Sequence, residues 1–201
     1  MTSFAETVPL VGPLATLEPL SLDHAEGLGR AAADGELWKI WYTTVPTPDG
    51  MAAEIERRLA LQREGTMAPW AIRNTRTGEL VGMTTYCNIS QENLRVEIGY
   101  TWMAASAHGT GVNPDAKRLL LGRAFDTLGC NAVYFHTHWH NRQSRAAIER
   151  LGAKQDGVLR SYQVFKGIVR DTVTYSILNN EWAAVRQGLD ARLAQHTASA
   201  G

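Results

Sequence analysis

The chain has 201 residues, with 20 lysines plus arginines against 20 aspartates plus glutamates and 44% hydrophobic residues. Balanced charge lacks the basic surplus of a typical nucleic-acid binder, and the apolar fraction is that of a chain that buries a core. Cys87 and Cys130 stand far apart outside any CxxC pair, which argues against a disulfide framework and fits a reducing compartment. No basic segment followed by an apolar run opens the chain, and no stretch reaches the roughly 20 apolar residues of a bilayer span, so a cytoplasmic protein without membrane contact is expected.

Residues 1–13 read as a loose lead-in interrupted by Pro9 and Pro13, residues 14–194 as a single domain, and residues 195–201 as a frayed tail. A first strand covers Leu14–Leu20, and Ser21 can cap a helix running to Ala33. The next segment, Gly35–Pro48, carries Trp38, Trp41 and Tyr42. Asp49 is placed to cap a second helix whose Met51, Ile55 and Leu59 point inward while Glu54, Glu56, Arg57 and Arg58 face water. Two strands, Met67–Arg73 and Leu80–Ile89, flank the hairpin loop Asn74–Gly78. Arg95–Trp102 alternates, so that Val96, Ile98, Tyr100 and Trp102 point one way and Arg95, Glu97, Gly99 and Thr101 the other.

A strong helix follows a short loop. Asn113 is its candidate N-cap, Pro114 its first residue, Leu121, Ala124, Phe125 and Leu128 its apolar stripe, and Gly129 its end. A strand over Ala132–His138 leads to a short helix over Asn141–Leu151. Two strands, around Val158–Phe165 and Val169–Leu178, precede a last amphipathic helix near Trp182–Leu193. The order β-α-α-β-β-β-α-β-α-β-β predicts a mixed α/β fold with one central sheet.

The stretch Trp102-Met103-Ala104-Ala105-Ser106-Ala107-His108-Gly109-Thr110-Gly111-Val112-Asn113-Pro114 runs from a strand through a glycine-bearing loop into a helix. Such a passage gathers unpaired N–H groups and the positive helix end at one point, which suits a pyrophosphate. A plain strand-to-helix turn is the alternative use of the same glycines.

The chain resembles the GNAT acetyltransferases, in the branch that acetylates ribosomal-protein alanines, over roughly Leu14–Leu178. The family's Q/R-x-x-G-x-G/A loop is similar to His108-Gly109-Thr110-Gly111-Val112-Asn113, with His108 and Asn113 departing from the pattern. Asn141 matches the asparagine that orders the pantetheine arm, with Ser144 one turn later, and Thr77–Gly82 is similar to the central hairpin. The resemblance implies a mostly antiparallel sheet splayed at the cofactor site, acetyl-CoA as cosubstrate with no metal, and acetyl transfer to a primary amine by direct attack on the thioester. It implies cofactor contacts at Trp102, Met103, His108–Asn113, His138, Asn141 and Ser144, and an oxyanion donor in the backbone near Trp102 or Met103.

Glu97 is the candidate base, a strand carboxylate among apolar neighbours whose partial burial would raise its pKa; pairing with Arg95 or Arg73 is the structural alternative. Many family members carry an acidic tyrosine where this chain has Ile148, which leaves Ser144 as a weak candidate acid. His136, His138 and His140 alternate along a strand, but no carboxylate or cysteine nearby completes a metal set. Trp38, Trp41 and Tyr42 border the acceptor groove of this fold, or else lid the core or a homodimer contact. The expected acceptor is an amino acid, peptide or protein N-terminus. The alternatives are an aminoglycoside or polyamine acceptor, or a CoA-binding module without efficient turnover.

Overall fold

The computed structural model describes residues 3–198. Its strands, β1 (Leu10–Val11), β2 (Ala15–Pro19), β3 (Ala68–Asn74), β4 (Leu80–Ser90), β5 (Arg95–Met103), β6 (Ala132–His138), β7 (Lys154–Phe165) and β8 (Ile168–Leu178), form one sheet in the order β1-β2-β3-β4-β5-β6-β8-β7. Every neighbouring pair is antiparallel except β5–β6. The helices are α1 (Ala25–Ala33), α2 (Met51–Arg63), α3 (Val112–Gly122), α4 (Arg142–Glu149) and α5 (Trp182–Ala198). Helices α1 and α2 pack on β4 and β3, while α3 packs on β2 and α5. The mostly antiparallel sheet flanked by helices matches the fold read from the sequence.

The expected lead-in is docked rather than loose. Phe4 and Ala5 are buried, Leu10 and Val11 pair with β2, and the carbonyls of Glu6 and Val8 accept hydrogen bonds from Arg123 and Trp70. At the other end α5 runs to Ala198, through four residues expected to fray. Residues 199–201 of that tail lie outside the described residues.

Two side-chain assignments need correction. Arg58 does not face water: it is fully buried, and its guanidinium donates to Glu54 Oε1 at 2.8 Å, to Thr85 Oγ1 at 2.8 Å and to the Tyr100 carbonyl at 3.4 Å. Nor does β5 alternate to its end. Its register against β4 shifts between Met83↔Trp102 and Thr85↔Gly99, and Tyr100 is the extra residue, at φ +48°. Such a bulge reverses the phase of the strand beyond it. Trp102 therefore shares the Met83 face with Glu97 and Gly99, whereas Val96 and Ile98 point to the opposite face. Tyr100 lies half out of the protein over the guanidinium groups of Arg57 and Arg58.

The α3 face clamps the same bulge. Buried Lys117 donates to Thr101 Oγ1 at 2.6 Å and Thr84 Oγ1 at 3.2 Å, the two hydroxyls lie 2.8 Å apart, and no carboxylate pairs with the ammonium among the described residues. Burial pushes the Lys117 pKa down from 10.5 to about 7. Between these values the unfolded chain binds more protons than the folded one, so stability rises with pH. The buried thiols Cys87 and Cys130, whose pKa values burial raises, act with opposite sign above the ordinary thiol range. The clean window is therefore about pH 7 to 8.5, where the Lys117 term is worth up to about 2 kcal/mol. Denaturant titrations should show this rise in the native protein and a flatter profile in Lys117→Met.

Candidate active site

Strands β5 and β6 run parallel and pair only at Arg95↔Ala132, Val96↔Val133 and Glu97↔Tyr134, although β5 continues to Met103 and β6 to His138. Their outer edges stay paired, β5 with β4 and β6 with β8, so the gap opens between these two strands. The facing edges carry peptide N–H and C=O groups without a strand partner. Because the strands are parallel, the helices that follow them, α3 and α4, both begin at the open end.

The entrance to α3 differs from its expected form. Gly111, not Asn113, is the N-cap, at φ +86°, which places Pro114 in the first turn rather than at its start. The N–H groups of Gly109 and Thr110 make no hydrogen bond within the described residues, and those of the first helical turn have no partner within the helix. At Gly109, φ is +77° and a Cβ would find nothing within 4 Å, so the backbone is open to a ligand. A Cβ on Gly111 would meet Leu14 at 2.6 Å and His196 at 2.9 Å, so this glycine is required by packing as well as by its dihedral. His108 is exposed, Thr110 bonds back to the Ala107 carbonyl at 2.7 Å, Val112 is buried and Asn113 half-buried. At the head of α4, Asn141 Oδ1 accepts the Ser144 N–H at 3.0 Å, which leaves the amide N–H donors of Asn141 for a ligand. The loop residues suit a pyrophosphate and the strand gap suits an amide-bearing arm.

Glu97 sits where the pairing of β5 and β6 ends. It is buried, and its partners are neither Arg95 nor Arg73. Oε2 accepts from His136 Nδ1 at 2.7 Å and Asn88 Nδ2 at 2.6 Å. Arg73 instead pairs with Glu18, and Arg95 lies over the Tyr134 ring. His136 Nε2 lies 3.1 Å from Thr174 Oγ1, so a chain Glu97–His136–Thr174 crosses three strands. Oε1 lies against Gly99, where a Cβ would approach to 3.0 Å, beside the buried Cys87 thiol. A carboxylate with one oxygen anchored and the other facing only a weak thiol donor can accept a proton from a neighbouring amine.

Beyond His136 the strand leads to a cluster of rings. Trp41 stands edge-on to His138 at 5.3 Å and Tyr42 at 5.2 Å, and 5.9 Å from His140. Trp38 is outside this cluster. His138 Nδ1 accepts the His140 N–H at 3.0 Å, and desolvation, with Arg170 and His140 nearby, lowers its pKa, so the ring is neutral at pH 7. Trp41 and His138 line a cleft of about 250 Å³ together with Trp139, His140, Ile168, Val169, Arg170 and Asp171. A larger depression of about 460 Å³, at Asn131, Leu178, Asn179 and Asn180, lies at the opposite end of β6 and holds no titratable side chain. The sequence reading missed Asn88, Arg170 and the bond from His136 to Glu97. The parallel register that joins Glu97 to His136 is a pairing between distant segments and leaves no local signal.

Solved structures that share this layout are acetyltransferases. A GCN5-related N-acetyltransferase from Brucella melitensis superposes with a TM-score of 0.82 at 28% identity, covering 94% of this chain and 86% of that one. The RimJ protein of Mycobacterium smegmatis, solved with CoA-disulfide, shares the fold with a TM-score of 0.78 at 23% identity, covering 94% and 96%. YdaF of Bacillus subtilis (strain 168), provisionally named a ribosomal N-acetyltransferase, is 38% identical over 105 residues, 52% of this chain and 57% of its own length. The match thus spans little more than half of that relative. Residues 15–154 match the family described as the acetyltransferase (GNAT) domain, and the chain belongs to that family.

Proposed function

We propose that the chain transfers an acetyl group from acetyl-CoA to a primary α-amine, on an amino acid, a peptide or a protein N-terminus. The observation that carries this reading is the placement of Glu97 at the point where β5 and β6 part, below two helix entrances that open on the same gap. The pyrophosphate lies on the N–H groups of residues 109–113, and the pantetheine arm lies between the strands, with the Asn141 amide donating to it. The acetyl-CoA thioester is the electrophile. Glu97 Oε1 takes the proton of the incoming amine, and His136 with Asn88 holds the carboxylate in place. Backbone N–H groups near Trp102 and Met103 stabilise the oxyanion, and the thiolate leaves unassisted or beside Ser144. Trp41, Tyr42 and His138 form the acceptor wall, and His138 adds no charge of its own to it.

The test is release of free CoA thiol from acetyl-CoA by purified protein against a panel of amino acids, peptides, polyamines and aminoglycosides. Best turnover of α-amines supports the reading, and best turnover of polyamines or aminoglycosides overturns the acceptor assignment. The loop is probed most cleanly at Gly109, since a side chain on Gly111 would strain the fold. Gly109→Asn, a residue that tolerates positive φ, is expected to fold normally and to weaken acetyl-CoA binding at least about tenfold, roughly 1.4 kcal/mol, by calorimetry.

A further inference from the structure

The acceptor cleft contains a cation without a counter-charge. Arg170 lies on β8, two residues from Thr172, which pairs with His138, and four from Thr174, which pairs with His136. Period-two alternation therefore puts Arg170 on the face of the sheet that carries His136, His138 and Glu97. Its guanidinium lies over the Phe165 ring, 5.5 Å from the centroid. Among the described residues no carboxylate pairs with Arg170, whereas its neighbour across the β7–β8 hairpin, Arg160, has one. The adjacent Asp171 is turned to other work, pairing with Arg160 at 2.6 Å and accepting the Ser161 N–H at 2.8 Å.

Arg170 Nε is shielded from solvent and has no hydrogen-bond partner among the described residues, and the same holds for Thr172 Oγ1, two residues along β8. Buried polar groups are almost always satisfied, and Arg170 lines the cleft, so an occupant of the cleft is the natural source of the acceptor that its guanidinium lacks. The ligand must accept from a guanidinium, which calls for an anion, and a planar carboxylate matches the guanidinium fork. Tyr100 stands within electrostatic reach of both Arg170 and Glu97. An acceptor anchored on Arg170 thus extends toward the carboxylate that takes its proton.

We propose that Arg170 is the specificity residue of this cleft and selects amine acceptors that carry a carboxylate, excluding polycations by like charge. The proposal rests on the acetyl-transfer reading, and its test separates the two. Thiol release is compared within matched pairs, L-phenylalanine with L-phenylalaninamide and aspartyl-alaninamide with asparaginyl-alaninamide. Binding of N-acetylphenylalanine and its amide is measured in parallel by calorimetry, without turnover.

In the native protein at least one carboxylate member should be favoured at least tenfold in kcat/KM or in affinity. Arg170→Met should abolish the preference, Arg170→Lys should restore part of it, and acetyl-CoA affinity should be unchanged in both. Equal turnover of both members of every pair overturns the anion assignment and leaves acetyl transfer standing. If no amine turns over, acetyl transfer is the reading that fails, and the calorimetric preference alone decides on Arg170. A tenfold loss of acetyl-CoA affinity in Arg170→Met assigns the arginine to the cofactor and overturns the proposal as well.

Discussion

Glu97→Gln is expected to lower kcat by roughly 10² to 10⁴-fold while acetyl-CoA affinity stays within about twofold of native. The amide keeps the shape of the carboxylate and can still meet His136 Nδ1 and Asn88 Nδ2, which lie 2.7 and 2.6 Å from Oε2. What it loses is the capacity to take a proton at Oε1. Steady-state kinetics with the best amine of the panel, combined with calorimetry on acetyl-CoA, read the two quantities separately. Turnover near the native rate would reduce Glu97 to a structural anchor for His136. His136→Gln gives the complementary result: a positioning residue is expected to lower kcat by about tenfold, with little change in acetyl-CoA affinity.

Arg58→Ala should give the largest loss of stability, about 3 to 5 kcal/mol, as expected when one partner of a buried ion pair is removed. The guanidinium has no exposed surface, so solvent does not screen the loss, and Thr85 and the Tyr100 carbonyl lose their donor as well. Arg58→Met fills the same volume and should lose less. Urea titration measures both, and a loss below about 1 kcal/mol for the alanine variant would show that Arg57 takes over Glu54 and that water replaces the rest.

Much of the local structure at the candidate site was legible because its signals are local. The loop and helix around Gly109–Leu121 announce themselves by glycines and a 3.6 period, and Asn141 caps α4 as its sequence position predicts. The errors have specific causes. Arg58 is at i+7 from Met51 and i+3 from Ile55, a spacing that places it on the buried stripe, yet its charge pointed to solvent. Asn113 has the chemistry of an N-cap, but Gly111 supplies the left-handed turn that admits the chain past Leu14 and His196. The phase reversal at Tyr100 is invisible because an alternating strand with one extra residue looks like an alternating strand. It is enforced from outside β5 by Arg58 on one face and Lys117 on the other. His136 was grouped with two other histidines by spacing, whereas the parallel partner strand and β8 gave it Glu97 and Thr174 as neighbours.

The bulge at Tyr100 also governs which changes of chain length β5 can accept. Removing Tyr100 would restore simple alternation and leave Thr101 opposite Thr84 and Trp102 opposite Met83, each on its present face, because Tyr100 is the residue that the bulge absorbs. Adding one residue before Gly99 would carry Glu97 out of step with His136 instead. A substitution at position 100 disturbs a half-exposed ring and must keep a positive φ, and a deletion there takes out the residue that the bulge absorbs, whereas an insertion upstream displaces Glu97. Lineages of this chain should therefore tolerate a change of length at the bulge better than one between Glu97 and Gly99.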